Sequence, residues 1–142
     1  MQNLETNEID TLAIIFHSPA YDRISYALML AKAALASGMR VVTLFTFGAL
    51  RRLVKGMLDD IAFGTESEMK DAIETGLEIG VLLPISEQIK ELKRLGLRIH
   101  ACVTTMTLFN LSKDDLIEDV DSIAGLGMFV DIARDAAISI YV

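Results

Sequence analysis

The sequence predicts an α/β protein: a three-layer α/β/α fold with a mainly parallel five-stranded sheet. Five short, uniformly apolar runs have the composition of strands that are buried on both faces. Segments with helical spacing separate these runs, as the crossover connections of parallel strands require. A chain of 142 residues is long enough to bury such a core, and we expect residues 1–142 to form a single domain. The predicted strands are Leu12–Phe16, Val41–Phe45, Leu97–Ala101, Val120–Ala124 and Ala137–Tyr141.

The first predicted helix connects the first two strands. Ser18 is expected to cap it, and Pro19 to occupy its first turn. Gly38 follows the last residue of the pattern, where a left-handed residue commonly ends a helix. A helix on one face of a sheet buries one apolar stripe, and the stripe predicted here is Ile24, Leu28, Ala31 and Leu35.

Further helical segments follow the second strand. Gly48–Gly80 predicts two helices separated by a loop at Gly64-Thr65. Another helix is expected to begin near Pro84 and to end at Gly96. The remaining segments are a turn at Ser112 with Asp115 as its capping-box partner, and a helix over Leu126–Asp135 with Phe129, Val130 and Ala133 facing inward.

The composition argues against several classes of function. The net charge of −7 opposes sequence-independent binding of nucleic acid. Apolar stretches such as Ile79–Ile85 are too short to span a bilayer, so no membrane association is expected. Residues 1–10 form a polar extension without the features of a secretory signal, and we therefore expect a cytoplasmic protein. One cysteine and two histidines predict no disulfide, no metal site and no cofactor.

Residues that follow the predicted strands are the candidates for a functional site. In open parallel sheets, sites form beyond the carboxyl ends of the strands. Because those ends meet at one edge of the sheet, we expect the residues after four of the strands to lie near one another. The candidates are His17, Thr46, Phe47, Gly48, Cys102, Thr104, Thr105, Gly125 and Gly127.

The single cysteine, Cys102, falls on this predicted rim. The sequence predicts a helical turn just after it, with Thr104 or Thr105 as cap. Backbone N–H groups at a helix start favour a thiolate over a thiol, and a thiolate attacks sulfane sulfur or a disulfide. The alternative is that Cys102 is an inert, small hydrophobic residue of the core.

Other polar residues near the rim have structural interpretations beside functional ones. His17 is a candidate general base or thiolate partner, or else a solvated or capping histidine. His100 shares a sheet face with Cys102, and we expect it to be half-buried and hydrogen-bonded. Arg51, Arg52 and Lys55 follow the second strand; they would receive an anionic donor or, more ordinarily, form a solvated helix face.

Two segments of the chain resemble the DsrE/DsrF-like sulfur-relay family, and in particular its peroxiredoxin-like branch. One runs from Ile99 through Cys102 to Met106 and continues in the Asp115–Val120 stretch and in Ile123-Ala124-Gly125. The other, Thr43–Gly48, is similar to an aromatic segment of that branch. The loop after the first strand departs from the branch, because it reads His17-Ser18-Pro19 where a Ser-Gly-Asp type of loop is common.

The resemblance implies a function and a set of partners. The family's cysteine corresponds to Cys102 and carries sulfur as a persulfide or a thiosulfonate. The implied associates are a TusA-like sulfur carrier, a rhodanese and heterodisulfide-reductase-like proteins, and members form homo- or hetero-oligomers. The predicted substrate-binding residues around Cys102 are Thr104, Thr105, His17, Phe47 and Gly125.

The sequence therefore predicts a cytoplasmic sulfur carrier or sulfurtransferase that uses Cys102 and passes sulfur to a partner thiol. One alternative is a module that binds a nucleotide or another small anion on the same rim. Another is a non-catalytic interaction subunit with a structural Cys102. The apolar stretches Ile79–Leu83 and Met57–Phe63 are either subunit interface or ordinary core.

Overall fold

The computed structural model describes residues 8–142, and in this range it contains five β-strands and six α-helices. Residues 1–7, which make up most of the predicted polar extension, lie outside the described range. In chain order the elements are β1 (Thr11–Phe16), α1 (Tyr21–Ala36), β2 (Arg40–Phe45), α2 (Phe47–Arg52), α3 (Ser67–Glu78), α4 (Ile85–Arg94), β3 (Arg98–Cys102), α5 (Val103–Leu108), a 3₁₀ turn (Lys113–Asp115), β4 (Ser122–Ala124), α6 (Leu126–Arg134) and β5 (Ile138–Tyr141).

The five strands form one parallel sheet in the order β4-β3-β2-β1-β5. The chain steps in one direction from β1 to β4, and right-handed crossovers keep the intervening helices on one face. The return from β4 to β5 runs the other way and brings α6 to the opposite face. Helices α1 and α4 contact each other, and α6 contacts β1. The predicted three-layer α/β/α fold is confirmed.

The core lies on both faces of the central strands. In β1, Leu12, Ala13 and Ile14 are all buried, although successive side chains point to opposite faces. The rings of Phe16 and Phe45 occupy the same level on β1 and β2 and stack with their centroids 4.3 Å apart. Since these phenylalanines end their strands, the core extends up to the carboxyl edge of the sheet.

The first helix keeps its predicted stripe but starts later than expected. Ile24, Leu28 and Ala31 are buried, and Gly38 has φ +83° just after the helix. The N-cap is Ala20 instead of Ser18. The Ser18 hydroxyl accepts a hydrogen bond from the N–H of Ala20, which holds the approach to the helix as a turn.

The segment after β2 differs more from its prediction. The first of its two predicted helices is only the short α2, which ends at Arg52. Gly56 then adopts φ +88°, and Val54 forms an isolated antiparallel bridge with Leu116. The apolar residues of this segment, such as Leu58, pack against the core from turns, without helical geometry. Their spacing indicated burial correctly but the wrong backbone conformation.

Two predictions near the chain end have different outcomes. The capping box is confirmed, because the Asp115 carboxylate accepts hydrogen bonds from the N–H and the hydroxyl of Ser112. The orientation predicted for α6 is wrong at Val130, which is 61% exposed, whereas Phe129 is buried. Residues adjacent along a helix diverge by about 100°, so both cannot face the sheet.

Candidate cysteine site

Cys102 is the last residue of β3 and the N-cap of α5. It pairs with Ala124, the last residue of β4. One strand away on the other side, Phe45 is level with Ala101, so Thr46 lies beside Cys102 where the chain leaves the sheet. The predicted position of the thiol on the carboxyl rim is therefore correct, with β3 ending one residue later than expected.

The surroundings of the Cys102 sulfur differ from the prediction. Only 1% of the residue is exposed. Within residues 8–142, its side chain accepts no hydrogen bond at the start of α5. The accessible thiolate held by backbone N–H groups, which the sequence predicts, is absent from this arrangement. A thiol without hydrogen bonds tolerates such burial because it behaves as a small hydrophobic group.

The two threonines after Cys102 have different environments. Thr105 is fully buried, and its hydroxyl accepts a hydrogen bond of 2.9 Å from the backbone N–H of Phe47. Thr104 is exposed. Neither caps α5, because Cys102 itself occupies the cap position. The Thr105 hydroxyl instead joins the start of α2 to the first turn of α5.

Phe47 has an unusual backbone conformation for a bulky residue. Its φ is +45°, and its side chain is 44% exposed. Left-handed φ values are rare for residues other than glycine and asparagine, and they are often found at functional sites. The hydrogen bond to Thr105 is one of the contacts that hold Phe47 in this conformation.

His17 lies against Phe47 on the rim, with ring centroids 5.5 Å apart. Its backbone is fixed on both sides: its N–H donates to Val142, and its carbonyl accepts from Ala49. In the described part of the chain, no hydrogen bond joins His17 to Cys102. The structure thus brings His17, Phe47 and Thr105 together, but it does not make His17 a base for the thiol.

Gly125 completes the rim on the side of β4. It is the N-cap of α6 and follows Ala124, the partner of Cys102 in the sheet. Among residues 8–142, no heavy atom other than those of Gly125 and its two chain neighbours lies within 4 Å of the position that a Cβ on Gly125 would occupy. This residue therefore leaves open space beside the strand that carries Cys102.

His100 is half-buried and hydrogen-bonded, as expected. Its Nδ1 lies 2.7 Å from the hydroxyl of Ser122 on the neighbouring strand. Burial lowers the pKa of His100, and the Asp121 carboxylate opposes this effect in part. Because the Nδ1 atom of His100 is hydrogen-bonded to Ser122 in the middle of β3, we assign His100 a structural role.

Arg52 is the residue whose role the sequence analysis missed. It was expected on a solvated face, yet it is fully buried. Its guanidinium donates hydrogen bonds to five backbone carbonyls. One of them lies before α1, and the other four lie in the loop between α2 and α3. These acceptors are the carbonyls of Pro19, Met57, Leu58, Asp60 and Phe63. Its neighbours Arg51 and Lys55 are exposed, as expected.

Burial lowers the pKa of Arg52, while the Asp60 carboxylate acts in the opposite direction. The guanidinium nevertheless stays charged, because arginine does not lose its proton in proteins. Nothing in the local sequence distinguishes Arg52 from Arg51, since the carbonyls that satisfy it come from a loop without periodicity. Arg52 connects that loop to Pro19, just below the rim.

An apolar cavity lies away from Cys102. It is a groove of about 450 Å³ between α1 and α4, with Met29, Val81 and Leu83 among its lining residues. Val81 is 71% exposed, so the apolar stretch Ile79–Leu83 is a surface feature. Among residues 8–142, no three potential metal ligands cluster. No helix in this range is both long and apolar enough to cross a membrane.

These features define a class of protein: a parallel α/β domain with its one cysteine at the carboxyl rim of the sheet. The chain belongs to the DsrE/DsrF-like family, whose model matches residues 10–140. The family assignment supports a role of the sulfur-relay kind at the level of the family. Its members generally take part in sulfur-relay complexes.

Solved structures similar to this chain agree with the fold. MTH1491 from Methanobacterium thermoautotrophicum, described as a protein of unknown function, superposes with a TM-score of 0.60 at 16% identity, over 94% of this chain and 99% of its own. The ychN protein from E. coli gives 0.62 at 13% identity, over 95% and 100%. At these identities the likeness concerns the fold alone. A search of curated proteins finds no match.

Proposed function

We propose that the protein is a cytoplasmic sulfur carrier or sulfurtransferase that holds sulfane sulfur on Cys102. The observation that carries this proposal is the position of the chain's only cysteine, at the carboxyl end of β3 in a member of a sulfur-relay family. Sites in parallel sheets form at this edge. A lone thiol in a reducing compartment remains available for exchange.

The proposed reaction is a pair of sulfur exchanges. The Cys102 thiolate attacks the outer sulfur of a donor persulfide; the donor's S–S bond breaks, and the donor leaves as a thiolate. Cys102 is then a persulfide, and a partner thiolate attacks its outer sulfur to regenerate the Cys102 thiolate. Each step exchanges one S–S bond for another, so no external oxidant or reductant is consumed. Exchange with a polythionate would load a thiosulfonate in the same way and release thiosulfate.

This chemistry requires the rim to open, because the sulfur is buried in the closed arrangement. We propose that opening occurs between α2 and α5. A single hydroxyl, that of Thr105, accepts the N–H of Phe47 there, and Phe47 already has a strained backbone. The first N–H groups of α5, which have no intrahelical partner, would then stabilise the anionic sulfur. In this scheme the incoming sulfur compound is surrounded by five residues of the rim: Phe47, His17, Thr104, Thr105 and Gly125.

We also propose the setting in which the carrier works. It acts as one domain over residues 1–142, forms a homo-oligomer, and exchanges sulfur with a TusA-like carrier, a rhodanese or a heterodisulfide-reductase-like protein. Exposed apolar side chains around the cysteine are suited to such contacts. Val103 is 47% exposed and Leu126 is 50% exposed, and they follow the paired residues Cys102 and Ala124 closely.

The test is intact-protein mass spectrometry after treatment with polysulfide or with thiosulfate. We expect the wild-type chain to gain sulfur, and Cys102→Ser to gain none. A thiol-bearing acceptor should then remove the added sulfur and restore the original mass. If the folded wild-type chain acquires no sulfur while the urea-unfolded chain does, Cys102 is not a sulfur carrier in the native protein.

One observation favours a second candidate, a non-catalytic interaction subunit. Cys102 packs in the core with other buried hydrophobic residues, as a purely structural cysteine would. Labelling with a maleimide distinguishes the two candidates. A structural cysteine reacts only when the whole chain unfolds, and its labelling rate then follows global stability. A carrier's cysteine reacts through local opening under conditions in which the chain stays folded.

A further inference from the structure

A second cleft lies one helical turn away from the rim. It has a volume of about 390 Å³ and is lined by Arg51, Val54, Met57, Phe109 and Leu111. We call it the α2–α5 cleft, because it is bordered by the ends of those two helices. Four of its five lining residues are apolar, and the fifth carries a guanidinium. Such a combination suits a ligand with both an apolar group and an anion.

The guanidinium of Arg51 is positioned by aromatic rings. Its central carbon lies 5.2 Å from the ring centroid of Phe109 and 5.4 Å from that of Phe63. Within residues 8–142, the Arg51 side chain forms no hydrogen bond, and none of the ion pairs involves it. The contrast with Arg52 is direct, because Arg52 contacts Phe63 as well but donates to five carbonyls. Arg51 has its donors available and is already held between rings.

Two lysines belong to chain segments beside the cleft, although the chain is acidic overall. Lys55 and Lys113 also lack an ion-pair partner within the described range. The N–H of Lys55 donates to the carbonyl of Asp115, which brings the two lysine-bearing segments together. Asp114 is exposed in the same turn, whereas the Asp115 carboxylate is occupied by Ser112. No carboxylate lines the cleft itself.

The cleft lies about one helical turn from the contact between α2 and α5. Helices α2 and α5 both start at the rim, where Phe47 donates to Thr105. Arg51 and Phe109 each follow four residues later, which corresponds to about 6 Å along a helix. On α5, Val103 and Leu108 are 47% and 59% exposed. A cleft of about 390 Å³ is larger than a small anion requires, and it suits an acidic and an apolar side chain of one polypeptide segment.

We propose that the α2–α5 cleft is a docking site for an acidic, amphipathic segment of a partner protein. One carboxylate of that segment pairs with Arg51, and an adjacent apolar side chain fills the cleft against Phe109 and Leu111. A bidentate guanidinium–carboxylate pair supplies direction as well as affinity. The docked segment lies one helical turn from the rim. The docking itself does not depend on any reaction at Cys102.

The test uses fluorescence anisotropy with short labelled peptides and the Cys102→Ser protein, so that it is independent of sulfur chemistry. The probe alternates glutamate and leucine; one control peptide replaces glutamate with lysine, and the other replaces leucine with serine. We expect only the glutamate–leucine peptide to bind. Arg51→Gln should weaken that binding about tenfold, as expected for the loss of one charge-assisted pair.

Matched variants decide the location of binding. Arg51→Lys keeps the charge without the planar fork and should give an intermediate affinity. Arg94→Gln changes another exposed arginine at the end of a helix, on α4, and should leave the affinity unchanged. The proposal is overturned if the glutamate–leucine peptide does not bind with saturation, or if Arg51→Gln binds as the parent does. It is overturned as well if Val81→Ser abolishes binding and Arg51→Gln does not, because the peptide then occupies the groove between α1 and α4.

Discussion

The two ends of strand β3 are stabilised in opposite ways. At its amino end, the Asp121 carboxylate accepts hydrogen bonds from Lys93 Nζ at 2.6 Å and from the N–H of Ile99 at 2.8 Å, and Arg98 lies 3.5 Å away. Partial burial by itself would raise the pKa of Asp121. These hydrogen bonds and positive charges outweigh it, and the pKa is lowered. The amino end is thus fixed by charge.

Within residues 8–142, the carboxyl end of β3 has no such network of charged side chains. Cys102 accepts no hydrogen bond there, and Phe47 keeps a strained backbone. The side chains beyond the strand, such as Val103, are apolar and exposed. We therefore expect the end of β3 that carries the thiol to open more readily than its amino end, because few polar contacts hold that end of the strand itself. Regions that open locally have this character.

The largest effect we predict concerns the support beneath the carboxyl rim. Arg52→Met keeps much of the side-chain volume but leaves five backbone carbonyls without their donor. We expect the free energy of unfolding to fall by about 3–5 kcal/mol, as when one partner of a buried charged network is removed. Urea denaturation measures this change.

Arg51→Met is the matched control, because this neighbouring arginine is exposed and its side chain forms no hydrogen bond within residues 8–142. It should cost about 1 kcal/mol or less, the value of an exposed cation–π contact. If the two variants lose similar free energies of unfolding, Arg52 does not support the rim. The contrast drawn between the two ends of β3 would then be wrong on this point.

An intermediate effect is expected at the contact between α2 and α5. Thr105→Val removes the hydroxyl that accepts the N–H of Phe47, and it should lower stability by about 1–2 kcal/mol. If the rim opens at this contact, maleimide labelling of Cys102 in the folded chain should become about tenfold faster, since about 1.4 kcal/mol corresponds to a factor of ten.

Two variants sharpen this prediction. Thr105→Ser keeps the hydroxyl and should label nearly as slowly as the wild type. Thr104→Val changes the exposed neighbour and should alter neither stability nor labelling. A Thr105→Val chain that is less stable but labels no faster would show that opening follows another route, and that the strained Phe47 is not part of it.

The fold was predictable because burial on the two faces of a sheet leaves a pattern in the sequence. Each predicted strand overlaps an observed one, and Cys102 stands at the predicted edge. Such patterns indicate which residues of an element are buried, but they do not indicate its backbone conformation. For this reason the apolar spacing after Arg52 predicted a helix, where the chain forms turns around a guanidinium.

The details of the site were not predictable for a different reason. The positive φ of Phe47 and the burial of Arg52 depend on partners distant in the chain, Thr105 and Phe63 among them. No local periodicity encodes such pairs. The closed environment of Cys102 likewise arises from packing between elements, which a rule about strand ends does not describe. Sequence thus located the rim residues but did not predict their contacts.

The smallest predicted effect is a pH dependence at the middle of β3. Burial lowers the pKa of His100 below its ordinary value near 6.5, against the opposing charge of Asp121. The folded chain therefore favours the neutral imidazole. A lowered pKa contributes stability above the unfolded value, and this contribution is lost as the pH falls through the folded value.

The free energy of unfolding should accordingly decrease as the pH is lowered below about 6.5. His100→Gln should flatten this slope by a few tenths of a kcal/mol, as is usual for a single partly exposed group. Urea titrations at a series of pH values measure it, with His17→Gln as the control that removes the chain's exposed histidine and keeps His100. A slope that survives His100→Gln and disappears in His17→Gln would place the titrating group at the carboxyl rim. The middle of β3 would then not be the part of the molecule that responds to mild acid.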